Sequence, residues 1–339
     1  MKPNRPLLIV TSCTRNYGWV TRAFLEGNTR WADYIIIVDQ MSTDATRPLI
    51  KEYNALRGDG IHRAEIITID DPDMTYKENI RAKMAFMKGR ELAAGRDTVY
   101  FALDIDEVMP ANWMETENGK KILTSKPGDM FQLEWADIMS DGIKCNLNGA
   151  QYKIFHDNGM EWQDSQFNMH TPLLPYSSWE IEPEMIKDFP LLHFGEYYER
   201  WIQYKRKYYQ FLDIQQHRSD SVITIFRRYY RDAVDTYEGA KNVQPIQHDW
   251  LYADVDLISL VDTKGIPIFV HYIKEIILQE GIKKFYSIDV WSEDFCRDLG
   301  IKDPRPFSWK MVHGYLRLTR KNPKLLVVRS IDYILKKIV

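Results

Sequence analysis

The residues best placed to do chemistry lie in one short run, Asp97 to Met109, "DTVYFALDIDEVM". An apolar stretch suited to a buried strand ends in three acids, Asp104, Asp106 and Glu107. Carboxylates this close repel one another. Side chains two residues apart at a strand end point the same way, so Asp104 and Asp106 can share one cation. Hard oxygen donors suit magnesium or manganese, which keep other positions for water and phosphate oxygens. A nucleoside diphosphate is the natural partner of such an ion, because the metal stabilises the charge that develops on the leaving phosphate. The same spacing also occurs as a solvated loop or helix cap.

The segments before this run alternate between strand and helix. "PLLIVTSC" (Pro6 to Cys13), Asp33 to Gln40, Ala64 to Asp70 and "TVYFALDID" read as buried strands. Arg15 to Gly27, Asp44 to Leu56 and Thr75 to Ala94 read as helices, the second capped at Ser42 or Thr43 or stabilised by Asp44. Continuous apolar strands alternating with helices imply βαβ units and a parallel sheet. The expected fold class is α/β: a Rossmann-like, mostly parallel sheet flanked by helices. Ligands of such sheets bind beyond the carboxyl ends of the strands. A strand order of 3-2-1-4 would bring Thr11, Asp39 and Asp104 to one crevice there.

Beyond Asp129 the pattern changes. "DMFQLEWADI" and "AQYKIFHD" suggest strands that extend the sheet antiparallel. Residues 157–195 are loop-rich. Polar helices are expected over Tyr197 to Arg218 and Ser221 to Tyr237, and further helices near Tyr272 to Gln279 and Ile282 to Leu299. "KDPRPFSW" reads as a linker before a basic, amphipathic end.

Composition narrows the class. The chain has 339 residues, 45% of them hydrophobic and 27% charged, as in ordinary globular proteins. A net charge of -3 argues against a nucleic-acid binder. Cys13, Cys145 and Cys296 lie far apart and outline neither a disulfide framework nor a zinc site, as expected for a reducing compartment. The N-terminal apolar run is too short for a secretion signal, so a cytoplasmic protein is expected.

The first 110 residues resemble family 2 glycosyltransferases. "TSCTRN" is similar to the start of that family after its first strand, and "IIIVDQMSTDAT" to its second-strand motif, with Ala45 where glycine is usual. "VYFALDIDE" looks like its Asp-x-Asp strand. The resemblance implies a GT-A fold, a divalent metal (Mn2+ or Mg2+), a UDP- or GDP-type nucleotide-sugar donor and inversion at the anomeric carbon. By position it implies that Thr11 and Asp39 contact the base or ribose, that Arg81 faces the nucleotide, that Asp104 lies on the ribose and metal side, and that Asp106 ligates the metal. Further along, "YKIFHDNGMEWQDSQFNMHTPL" and "LLHFGEYYERWIQYKRKYY" resemble, more loosely, segments that place His170 and His193 near the metal or diphosphate. Thr171 stands where that family has glutamate. A general base must take the acceptor's proton, and Asp164, Glu134 and Asp137 are the candidates.

The expected organisation is a glycosyltransferase domain over 1–240, with a nucleotide-binding half at 1–110 and an acceptor-side half at 111–240, and a helical region over 241–339. The implied activity is sugar transfer to a glycan or lipid-linked acceptor in surface polysaccharide synthesis. A nucleotidyltransferase and a non-catalytic nucleotide- or glycan-binding relative are the rivals. From Gly314 to Val339 seven Lys or Arg face one acid, Asp332. That segment either lies on an anionic membrane or docks on the protein's own core.

Overall fold

The structure is a computed structural model that describes residues 5–73, 75, 77–164, 173–175, 182–215, 221, 223–226, 242–320 and 322–338. His170 and most of the helix expected over 221–237 lie outside the described residues. The chain divides into two compact units, Met1–Tyr197 with Asn242–Thr263, and Tyr198–Lys241 with Lys264–Val339.

The first unit is a mixed α/β sheet flanked by helices. Strands β1 (Leu7–Thr14), β2 (Tyr34–Asp39), β3 (Glu65–Asp70) and β4 (Thr98–Ala102) alternate with helices α1 (Gly18–Asn28), α2 (Thr46–Ala55) and α3 (Glu78–Ala93). The strands that follow are β5 (Glu107–Val108), β6 (Met130–Ile138), β7 (Lys144–His156), β8 (Glu184–His193) and β9 (Val243–Pro245), with helix α4 (Glu117–Leu123) between β5 and β6. The sheet order is β3-β2-β1-β4-β7-β6-β8-β5, with β9 paired to β7. The first four strands are parallel, in the order 3-2-1-4 that brings Thr11, Asp39 and the Asp104 turn to the same edge. Strand β7 then joins β4 antiparallel.

The apolar runs are continuous because both faces of the central strands are covered. Leu8 and Val10 of β1 face one cluster with Phe24, Leu49, Phe101 and Trp113. Ile9 faces the other, with Phe86 of α3, Tyr100 and Phe155. Within the first cluster Trp31, Phe101 and Trp113 meet edge to face at 4.7–5.2 Å, a favoured aromatic geometry.

Several boundaries differ from expectation for local reasons. Helix α1 begins at Gly18 rather than Arg15, after Asn16 takes a left-handed φ of 58°. Helix α3 begins at Glu78 rather than Thr75, because the Thr75 carbonyl accepts from Arg81 and from Gln40. Strand β4 ends at Ala102, so Asp104 and Asp106 sit in the turn that follows. The pleat of a strand therefore does not set their directions.

In the second unit α5 (Glu199–Gln215), α6 (Phe269–Glu280), α7 (Glu293–Leu299), α8 (Phe307–Leu318) and α9 (Leu326–Ile338) are α-helices, and residues 223–226 are helical as well. The helix expected over Ile282 to Leu299 is broken into a 3-10 turn at Ile282–Phe285 and α7. The expected linker at 302–309 already contains the first turn of α8.

Candidate active site

The carboxyl ends of the parallel strands form a row. Thr14 of β1 lies in register with Asp39 of β2, which lies in register with Asp70 of β3. Asp39 is fully buried and accepts from the Ser42 amide at 3.1 Å, the Ser42 hydroxyl and the Arg47 guanidinium. Arg47 also pairs with Asp70, bridging the ends of β2 and β3. Asp44 accepts from the first amide of α1, Gly18, at 2.8 Å and from that of α2, Thr46, at 3.0 Å. It therefore satisfies donors at two helix starts.

Thr11 lies deeper, opposite Ala102 of β4, and its carbonyl accepts from Leu103. Arg81 is buried. It donates to Asp71 at 2.7 Å and to the carbonyls of Asp73 and Thr75, pinning the loop between β3 and α3. The thiol of Cys13 is pushed up by burial and feels the charges of Glu78, Arg81, Asp104 and Asp71.

The acidic run separates into three different environments. Asp104 is half-exposed, and Lys153 of β7 donates to it at 3.0 Å. Glu107 is fully buried. It accepts from the Asp104 amide at 2.8 Å and from Trp135 Nε1 at 2.7 Å, and pairs with Lys153 at 2.8 Å. Burial pushes its carboxyl up to about 7 against the pull of Lys153. The same carboxylates raise the buried ammonium of Lys153 above its ordinary value, although desolvation opposes them.

Asp106 differs from both. It is 3% exposed, and among the described residues its Oδ2 has no hydrogen-bond partner. A buried carboxylate oxygen in that state is one that a water or a cation would satisfy. His193 Nε2 lies 3.8 Å away, too far for a hydrogen bond. His193 ends β8, parallel to β6, in register with Asp137. Its Nδ1 is 2.6 Å from Asp137 Oδ1, and its ring stacks on Trp135 with centroids 4.8 Å apart. Burial pulls the imidazole down, but the Asp137 hydrogen bond and the Asp106 charge outweigh it and raise it to about 9. Gly195 crowds the pair: a Cβ there would lie 2.5 Å from His193 Nε2 and 3.2 Å from Asp106 Oδ2.

The structure thus brings Asp106, His193 and Asp137 together. It ties Asp104 to the same turn through Glu107 and Lys153. Asp164 lies elsewhere, exposed and paired with Lys83 of α3 at 2.9 Å. Glu134 sits where β6 slips register against both neighbours, between Leu133 and Trp135. Arg47, Lys153 and Gly195 are prominent parts of the site that sequence reasoning passed over. Lys153 gave a signal, a lone cation in the apolar end of a strand.

Among the described residues no three His, Cys, Asp or Glu side chains converge as a ready-made metal cage. The donors present still fit a divalent cation bound partly by water and phosphate. Asp106 Oδ2 is orphaned, and His193 Nε2 faces it while Asp137 fixes the other ring nitrogen.

No family model matches the chain, and no curated protein is similar to it in sequence. Among solved structures it is similar to a mannosyltransferase from Pyrobaculum calidifontis in complex with GDP-Man and Mn2+ (10% identity, 95% of this chain and 89% of that one, TM-score 0.36). It is also similar to a nucleoside-diphosphate-sugar pyrophosphorylase from Vibrio cholerae RC9 (7% identity, 45% of this chain and 74% of that one, TM-score 0.28). At such TM-scores neither likeness bears on activity.

Proposed function

We propose that the chain is a metal-dependent, inverting glycosyltransferase that takes a sugar from a nucleotide-sugar donor. The observation that carries this reading is the buried, unpartnered Oδ2 of Asp106 facing His193, just past the end of β4. Asp106 and His193 would hold the divalent cation, and Asp104 would lie at its edge. When bound, the metal supplies positive charge to the diphosphate as it leaves. Asp137 holds the His193 ring, and the missing side chain of Gly195 leaves the space that the ring occupies.

Thr11, Asp39 and Arg81 would mark the nucleotide end. Asp39 can reach a base or ribose by exchanging Arg47, whose side chain is 35% exposed, for the ligand. Asp137 is the one candidate base that contacts the Asp106 and His193 cluster, where it already orients the histidine. In this reading the acceptor is a glycan or a lipid-linked glycan.

The test is a thermal-shift panel of nucleoside diphosphates and nucleotide-sugars with manganese, then with chelator. A ligand at about 100 times its Kd stabilises by about 2.7 kcal/mol, or about 5–10 °C for a domain of this size. A metal-dependent rise with one base supports the reading. No rise with any nucleotide speaks against it.

A further inference from the structure

The last two helices carry a surface that the donor site leaves unused. On α8, Phe307, Met311, Gly314 and Leu318 fall at i, i+4, i+7 and i+11, which is one face of a helix. Phe307, Met311 and Leu318 are 76%, 60% and 88% exposed, and a Cβ on Gly314 would meet nothing within 4 Å. On α9, Val327, Ile331 and Ile334 form a second exposed stripe beside Leu326 and Tyr333. The opposite side of α9 is anchored. Val328 is buried, and Tyr315 donates to the Val328 carbonyl at 3.1 Å and to Asp332 at 3.0 Å. Leu316 packs with Ile223 and Phe226, and Val312 and Leu335 lie against them. The exposed stripes are therefore not faces that this core was built to cover.

We infer that α8 and α9 form a docking face for the surface of an anionic lipid bilayer. Charge decides the occupant. Seven Lys or Arg lie between Gly314 and Val339 against one acid, Asp332; Arg317 is paired with the buried Asp289 at 2.6 Å and does not count toward the surface charge. Lys324, Arg329 and Lys336 are exposed on or beside α9. A second copy of this face would set cations against cations, whereas anionic headgroups neutralise them while the apolar stripes enter the acyl boundary. With 13 residues, α9 is about 20 Å long, so it can lie on a hydrocarbon core about 30 Å thick but cannot cross it.

The test is co-sedimentation of the full chain, without nucleotide, with phosphatidylglycerol vesicles and with phosphatidylcholine vesicles. Its outcome is thus independent of the donor-site reading. Binding to the anionic vesicles alone, weakened by salt, is expected. Two variants, Leu318→Ser/Leu326→Ser and Lys324→Glu/Lys336→Glu, should each lower that binding at least about tenfold. All four side chains are exposed, so an unchanged melting curve shows that the fold is kept. Absence of binding to anionic vesicles, equal binding to both vesicle types, or wild-type binding by both variants overturns the proposal. Light scattering that shows a wild-type dimer dispersed by Leu318→Ser/Leu326→Ser overturns it in favour of a second copy.

Discussion

Gly195→Ala is the most informative single change near the site. The backbone there is not left-handed, so alanine brings no conformational strain, and the whole effect is steric. The new methyl would lie 2.5 Å from His193 Nε2, 2.7 Å from Cε1 and 3.2 Å from Asp106 Oδ2. The ring cannot yield cheaply. It is hydrogen-bonded to Asp137 on one edge and stacked on Trp135, which is itself tied to Glu107. Overpacking of this kind costs about 1–3 kcal/mol, or about 2–12 °C in Tm at this size. Displacing His193 Nε2 should also weaken manganese-dependent donor binding at least about tenfold, since loss of an aligned metal ligand or its support costs about 10–100-fold. The control is Gly314→Ala, where the added carbon meets open space. In that helix interior it should be neutral or stabilise by up to about 1 kcal/mol. Thermal denaturation reads the stability effect, and a titration with nucleotide and manganese reads the second. A Gly195→Ala protein with wild-type melting and wild-type metal-dependent binding would refute the crowded geometry.

Other substitutions test neighbouring parts of the account. Lys153→Met leaves the buried Glu107 without its ammonium and should cost about 3–5 kcal/mol in urea denaturation. Adding Glu107→Gln should recover a large part of that loss, and no recovery would refute the pairing. Asp44→Ala removes the acceptor of two helix-start amides and should cost about 2 kcal/mol, whereas a single-cap effect below about 0.5 kcal/mol would show that one contact is idle. Lys207, under the ring of Phe295 at 4.5 Å, is pulled down to about 8 by burial. Between about pH 8 and the ordinary lysine value near 10.4 the unfolded chain binds the extra proton, so folding stability gains with pH there. Wild type should therefore gain on Lys207→Met across that window, and parallel curves for the two proteins would contradict the depressed value.

The fold of the first four strands was legible because its signals are local. Runs such as "PLLIVTSC" and "DYIIIVDQ" are apolar on both faces, and the turns between them carry polar residues at fixed places. The order 3-2-1-4 then places Asp39 and the Asp104 turn at the carboxyl edge. The division of labour within the acidic run was not legible. Strand β4 stops at Ala102, and the turn sends Asp104 outward, Asp106 to an unpartnered buried position and Glu107 into the core. That outcome depends on Lys153 and Trp135, which lie on strands 28 or more residues away in sequence. His193 and Asp137 were each visible as chemistry-bearing residues. Their partnership comes from the parallel pairing of β6 with β8, a long-range contact that no local pattern announces.

The central claim is that Asp106 and His193 hold a divalent cation for a nucleotide diphosphate. Its most direct test is equilibrium Mn2+ binding, followed by the electron paramagnetic resonance signal of the free ion, with and without the nucleoside diphosphate that gives the largest thermal shift. Wild type should bind manganese more tightly when the nucleotide is present. Asp106→Asn and His193→Gln should each weaken that binding at least about tenfold while keeping the wild-type circular dichroism. Equal manganese affinity in all three proteins, or nucleotide binding indifferent to manganese, would contradict the account.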